Sequence, residues 1–188
     1  MFWNVPNSLT VMRILSIPVF VGIFYLPESS LPMHDKNVLA TFIFAFAAIT
    51  DWFDGYLARV LNQTSAFGAF LDPVADKLMV AAALVLLIEL DRVGAVVALI
   101  IIGREIAISA LREWMAGVGE RGSVAVAYIG KVKTAVQMAA ILFLLYDDPL
   151  GPVDIRYFGT ALIYIAAILT LVSMAYYLKA AWPRMKAA

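Results

Sequence analysis

Apolar residues run through this chain in six long blocks, each bearing charge toward one end and joined to the next by a short polar, Pro- or Gly-bearing connection. A helix that crosses a bilayer needs about 20 mostly apolar residues. Two blocks come closest unaided, 14–26 with the turn before it and 157–178. The others reach that length only by including charge. The block at 38–50 must continue through Asp51, Asp54 and Arg59, and 67–90 takes in Asp72, Asp76 and Lys77. Likewise 93–103 runs on through Arg104 and Glu105, and 123–146 includes Lys131 and Lys133. The pattern predicts six helices at roughly 8–26, 37–60, 67–90, 93–116, 124–146 and 154–180. The expected fold is an all-α polytopic membrane protein of six transmembrane helices with an N-terminal interfacial segment.

If successive helices alternate in direction, the charged ends of all six fall on one face, together with Arg13, Lys179, Arg184 and Lys186. The opposite loops hold Lys36, Arg92 and Arg156 against Glu28, Asp35, Glu89, Asp91, Asp147, Asp148 and Asp154. By the positive-inside rule the charged face is cytoplasmic, as are both termini. Trp3, Trp52, Trp114 and Trp182 fall near that boundary, where tryptophans anchor helices.

Composition narrows the class. Hydrophobic residues make up 63% and charged residues 15% of the chain, with a mean hydropathy of +0.89, far from a soluble domain. No segment outside the apolar blocks is long enough for a second core, so 1–188 reads as a single membrane domain. The first apolar block lacks a small-residue cleavage signature and reads as a retained span. Cysteine is absent, which excludes disulfides and thiolate sites. Net charge is zero, which gives no reason to expect nucleic acid.

Charge inside a spanning segment is a functional signal by default, and it concentrates between 51 and 76. At about 100° per residue, Asp51, Asp54, Gly55 and Arg59 share one arc of the second helix, while Gly68, Asp72 and Asp76 share one arc of the third. Two acidic faces can then oppose each other, and they need protons or cations to coexist. Arg59 and Lys77 alone do not neutralise four anions. Oxygen ligands without His or Cys suit Mg²⁺ or Mn²⁺, and four carboxylates can hold two such ions with positions open for phosphoryl oxygens. Gly55 lets a bulky polar ligand approach the backbone, and the forked donors of Arg59 suit a phosphate. Gly68 is expected to let the third helix begin close to the second. Pro73 is expected to end or kink the third helix, or to mark its first turn. A divalent-cation transporter or proton pathway is the reading from another class. Its carboxylates belong near the midplane, whereas these lie toward one end of their helices.

Arg104 and Arg112 are eight residues apart and nearly aligned on the fourth helix, and the fifth adds Lys131 and Lys133 at the same depth. Beside a metal site, such a set suits a second, anionic substrate. The competing reading has Glu105 and Glu113 neutralising the arginines while the lysines snorkel to the interface. Asn7, Thr10 and Arg13 form a polar stripe that fits a cap, an interfacial face or a pocket floor. His34, alone in an outer loop, reads as solvated.

The spacing Asp51-x2-Asp54-Gly55-x2-Ala58-Arg59-x8-Gly68-x3-Asp72-x3-Asp76 resembles the signature of the CDP-alcohol phosphotransferase family. P-N-S-L-T-V-M-R at 6–13, R-E-I-A-I-S-A-L-R-E-W at 104–114 and G-K-V-K-T at 130–134 resemble one bacterial branch of it. The resemblance implies a six-helix enzyme of the bacterial inner (cytoplasmic) membrane, commonly a homodimer, with two Mg²⁺ or Mn²⁺ ions and its site toward the cytoplasm. It implies transfer of a phosphatidyl group from CDP-diacylglycerol to an alcohol. For this branch that alcohol is sn-glycerol 3-phosphate, giving phosphatidylglycerophosphate and CMP. By motif position it implies that Asp51 and Asp72 bridge both ions, that Asp54 completes one, and that Asp76 touches the other and serves as general base. Gly55, Arg59 and Ser65 would contact the CDP moiety, with Asn7 and Thr10 beside them. Arg104, Arg112 and Lys131, with Lys133 or Arg13, would hold the acceptor phosphate. A sister enzyme using serine, inositol phosphate or phosphatidylglycerol is the nearest alternative, and the basic set argues against an uncharged acceptor.

Overall fold

The computed structural model describes residues 4–60, 65–117 and 125–185, with Asp54, Gly55, Arg59 and Lys131 described as backbone only. Six helices account for nearly all of them: α1 (Val5–Gly22), α2 (Met33–Val60), α3 (Ala66–Glu89), α4 (Ala95–Gly117), α5 (Ala125–Tyr146) and α6 (Ile155–Met185). Among the described residues there is no strand, only an isolated bridge between Leu150 and Val153. The all-α expectation holds.

Helix ends follow local chemistry. The Asn4 side chain caps α1 by accepting from the Asn7 amide at 2.9 Å, with Pro6 in the first turn, where its missing N–H is harmless. Capping therefore starts α1 before the predicted position 8. Ser65 caps α3 in the same way, accepting from the Gly68 amide at 2.9 Å. Pro73 lies inside α3, as the predicted range 67–90 has it, and does not end the helix, which continues to Glu89. At the far end of α3 the Arg92 amide bonds the Leu87 carbonyl and the Asp91 amide bonds that of Ile88. That is a Schellman closure, with Asp91 in the left-handed region at φ 54°.

The closure turns Arg92 inward. Its guanidinium donates to the carbonyls of Leu144 (3.1 Å) and Leu145 (3.0 Å) and to Asn37 Oδ1 (2.9 Å), tying α2 to the end of α5. Asp147 Oδ2 lies 3.1 Å from Arg92 Nε. Burial pulls the Arg92 guanidinium below its ordinary pKa against the attraction of Asp147. Burial likewise pushes the Asp147 carboxyl up, with Arg92 and Arg156 opposing. Lost hydration outweighs mutual attraction in both partners.

Phe20, Phe44, Leu84, Leu87, Ile101, Ile141, Leu144 and Ile163 fill the core. Leu15, Phe42 and Leu99 are each at least 65% exposed and face outward. Two stretches, Pro6–Tyr25 and Ile155–Lys179, are long and apolar enough to cross a membrane, with only 22% and 33% of their most apolar windows buried in the protein. α5 lies along α6, α4 packs on α6, and α1 packs on both α2 and α3. Among the described residues α2 and α3 make few contacts, and α1 packs against both.

Candidate active site

The spacing of Asn7, Thr10 and Arg13 aims all three from α1 into the gap between α2 and α3, and all are buried. The Thr10 hydroxyl donates to Asp72 Oδ1 at 2.6 Å. Arg13 Nη1 lies 2.7 Å from Asp51 Oδ1 and 2.5 Å from Asp76 Oδ1. Asn7 Nδ2 donates to Ser65 Oγ at 3.0 Å. The stripe is thus the floor of an acidic site, and it joins the two faces that were expected to meet directly. Gly68 serves the same junction. A Cβ there would lie 2.5 Å from Asn7 Oδ1 and 3.1 Å from Ser65 Oγ, so among the described residues the helix it lets approach is α1.

The Arg13 side chain is 2% exposed, while those of Asp51 and Asp76 are 40% and 47% exposed. The guanidinium underlies the carboxylates, which open upward. Asp72 and Asp76 line a cleft of about 550 Å³ bounded by Lys77 on α3, Glu105, Ser109 and Arg112 on α4, and Thr134 and Gln137 on α5. A second cavity of about 610 Å³ is lined by Arg104, Lys133, Gly130 and Tyr177. Glu105, Arg112 and Thr134 line both, so the two are contiguous.

The basic cavity is built from paired charge. Lys133 is buried and ion-paired with Glu105 across the α4–α5 gap, so it does not snorkel. Arg104 is buried, donates to Ser173 Oγ at 2.7 Å and lies over the Tyr177 ring at 5.6 Å from its centroid. Glu105 Oε1 is 3.5 Å from Arg104 Nη1. Arg112 is the exposed cation at the boundary of the two cavities.

Asp51, Asp72 and Asp76 therefore gather with Thr10 and Arg13, Asn7 gathers with Ser65, and Arg104, Arg112 and Lys133 surround one cavity. Arg13 stands with the acids and not with the basic set. Asp54, Gly55 and Arg59 lie on α2 and Lys131 on α5, but their side chains are outside the described residues. Trp3 is also outside them, and Trp52 is described as backbone only; Trp114 and Trp182 are exposed, as interfacial anchors are. His34, read as solvated, is exposed but lies 2.8 Å from Asp148. Sequence reasoning missed Ser109, Gln137 and Tyr177 as lining residues. Ser109 was findable, four residues beyond Glu105 and three before Arg112 on one helical stripe.

The donors fit a hard divalent cation. They are carboxylate oxygens, partly open to solvent, and a guanidinium nitrogen already occupies a cationic position between two of them. Among the described residues no three carboxylates converge as a ready ligand set.

A family model for CDP-alcohol phosphatidyltransferases matches residues 3–172. The chain belongs to the CDP-alcohol phosphatidyltransferase family. Among curated relatives it is 52% identical, over 183 residues and 96% of each chain, to the CDP-diacylglycerol–glycerol-3-phosphate 3-phosphatidyltransferase of Salmonella paratyphi A. Identity and coverage are the same for the enzymes of that name from Shigella flexneri serotype 5b and Escherichia coli K12. The CDP-alcohol phosphatidyltransferase match takes in every residue that lines the acidic cleft and most of α6.

Proposed function

We propose that this protein transfers the phosphatidyl group of CDP-diacylglycerol to sn-glycerol 3-phosphate, forming phosphatidylglycerophosphate and releasing CMP. The observation that carries the proposal is the adjacency of an acidic cleft and a basic cavity that share Glu105, Arg112 and Thr134 in their walls. A reaction joining a nucleotide-activated lipid to an anionic alcohol needs those two environments side by side.

In this reading Asp51, Asp54, Asp72 and Asp76 would hold two Mg²⁺ or Mn²⁺ ions. When bound, these would neutralise charge on the pyrophosphate oxygens and on the departing CMP. Asn7, Thr10, Gly55, Arg59 and Ser65 orient the CDP moiety. Arg104, Arg112 and Lys133, with Lys131, hold the acceptor phosphate. The attacking hydroxyl of the acceptor forms a bond to the lipid-side phosphorus as the bond to CMP breaks, and Asp76 takes the hydroxyl proton. Arg13 holds Asp51 and Asp76 toward each other from below.

The same reading makes 1–188 one domain whose six helices all span the bacterial inner membrane, with the site at the cytoplasmic face and two copies forming a dimer. Outward-facing Leu15, Phe42 and Leu99 support a lipid environment.

The test is a purified-protein assay with CDP-diacylglycerol and a panel of glycerol 3-phosphate, inositol phosphate and serine, following CMP and lipid product. CMP release only with glycerol 3-phosphate is expected. Asp76→Asn should abolish turnover, by about 100-fold or more, while lipid-nucleotide binding survives. Near-normal activity of that variant removes Asp76 as the base.

A further inference from the structure

Two polar groups in the acidic cleft have no assigned work. The Gln137 residue is 3% exposed and lines the cleft, yet its Oε1 atom is buried with no hydrogen-bond partner among the described residues. Ser109 lines the same cleft from α4, and its Oγ is in the same condition. Hydroxyls in the helices of this protein commonly bond back to a carbonyl one turn earlier: Thr41 to Asn37, Thr50 to Phe46 and Thr134 to Gly130. Ser109 forgoes that bond. Buried polar atoms are nearly always satisfied, and leaving one unpaired is unfavourable. Thr170 Oγ1 is also without a partner, but Thr170 lines neither cavity. The orphaned atoms of Ser109 and Gln137 are distinguished by belonging to residues that line a shared cleft.

We propose that Ser109 and Gln137 form a subsite that reads the secondary hydroxyl of the acceptor. The inference rests on the reaction proposed above. With the phosphate in the basic cavity and the reacting primary hydroxyl at Asp76, the middle carbon of a three-carbon acceptor crosses the stretch of cleft that Ser109 and Gln137 line. A hydroxyl on that carbon can donate to the amide oxygen, which only accepts, and accept from the serine, which can donate. Both orphaned groups are then satisfied by one substrate group. An acceptor lacking the hydroxyl leaves both buried and unpaired, the arrangement that discriminates best against a deoxy analogue. Charge in the basic cavity selects a phosphate, and this subsite adds selection for a hydroxylated backbone.

The experiment compares kcat/KM for sn-glycerol 3-phosphate and for 3-hydroxypropyl phosphate, which has the same phosphate and primary hydroxyl but no secondary one. Wild type should prefer glycerol 3-phosphate by about 10–100-fold. In Gln137→Leu the ratio should fall toward one, the loss coming mainly from glycerol 3-phosphate. Ser109→Ala should reduce it by a smaller factor, and decides the matter if Gln137→Leu does not fold. A wild type that does not discriminate, or a ratio unchanged in the variants, overturns the subsite while leaving the proposed reaction standing. A wild type that releases CMP with neither acceptor overturns the reaction, and the subsite with it.

Discussion

Arg13 Nη1 lies 2.5 Å from Oδ1 of Asp76, so the proposed base is held by a cation from a helix 63 residues earlier in the chain. The buried guanidinium also reaches Asp51, and thus serves as a fixed counter-charge beneath a partly open site. Arg13→Ala should therefore lower the melting temperature measured in EDTA. Because a divalent ion can take over the missing positive charge, adding Mg²⁺ or Mn²⁺ should raise the melting temperature of the variant more than that of wild type. Equal metal-induced shifts would remove Arg13 as a counter-charge to the ligand set.

Arg112 stands at the join of the two cavities. Arg112→Ala should raise the KM for glycerol 3-phosphate by roughly 10–100-fold, the range for losing a charge-assisted hydrogen bond, and leave that for CDP-diacylglycerol within a few-fold. Equal effects on both substrates would argue against an acceptor-phosphate role.

Gly68→Ala places a methyl group 2.5 Å from Asn7 Oδ1. Displacing the buried Asn7 amide and its bond to Ser65 should destabilise the protein by about 1 kcal/mol. The double variant with Asn7→Ala should recover part of that loss, since the clashing oxygen is gone. Thermal melts of the two singles and the double give the coupling directly.

The left-handed backbone at Asp91 is a position where glycine is unstrained. Asp91→Gly should melt at or slightly above the wild-type temperature. Asp91→Val, β-branched at a positive φ, should lose about 1–2 kcal/mol.

Asp147 has a folded-state pKa above its ordinary 3.8, chiefly because it is buried. A carboxyl raised in this way contributes stability that is fully present below the unfolded value and lost as pH rises through the folded one. Wild type should therefore gain melting temperature relative to Asp147→Asn as pH is lowered from 7 toward 4. A flat difference across that range would show that protonation of Asp147 is not linked to folding.

Much of this architecture was legible from the chain. The six apolar blocks became six helices, with α2 starting earlier than predicted at Met33 and α6 running on to Met185. The helical stripes of Asp72 with Asp76 and of Arg104 with Arg112 each line a cavity. Periodicity reports which residues share a face, but not which helix that face meets. Hence it does not reveal that Gly68 meets Asn7 of α1, or that Arg13 underlies the acids. The predicted start of the third helix at 67 lies one residue from the observed Ala66, so Pro73 falls inside α3 and neither ends it nor marks its first turn. Gln137 carried no signal, since a lone amide in an apolar helix becomes notable only once its surroundings leave it unmatched.

The packing of α1 against both α2 and α3 also bears on how the protein is made. Arg13 on α1 precedes its two carboxylate partners in the chain, Asp51 on α2 and Asp76 on α3. Until Asp76 has left the ribosome, the nascent chain carries a guanidinium whose second carboxylate does not yet exist. Pairing of that charge therefore waits on α3: α1 reaches its final seat only once both helices that carry its carboxylate partners are in place.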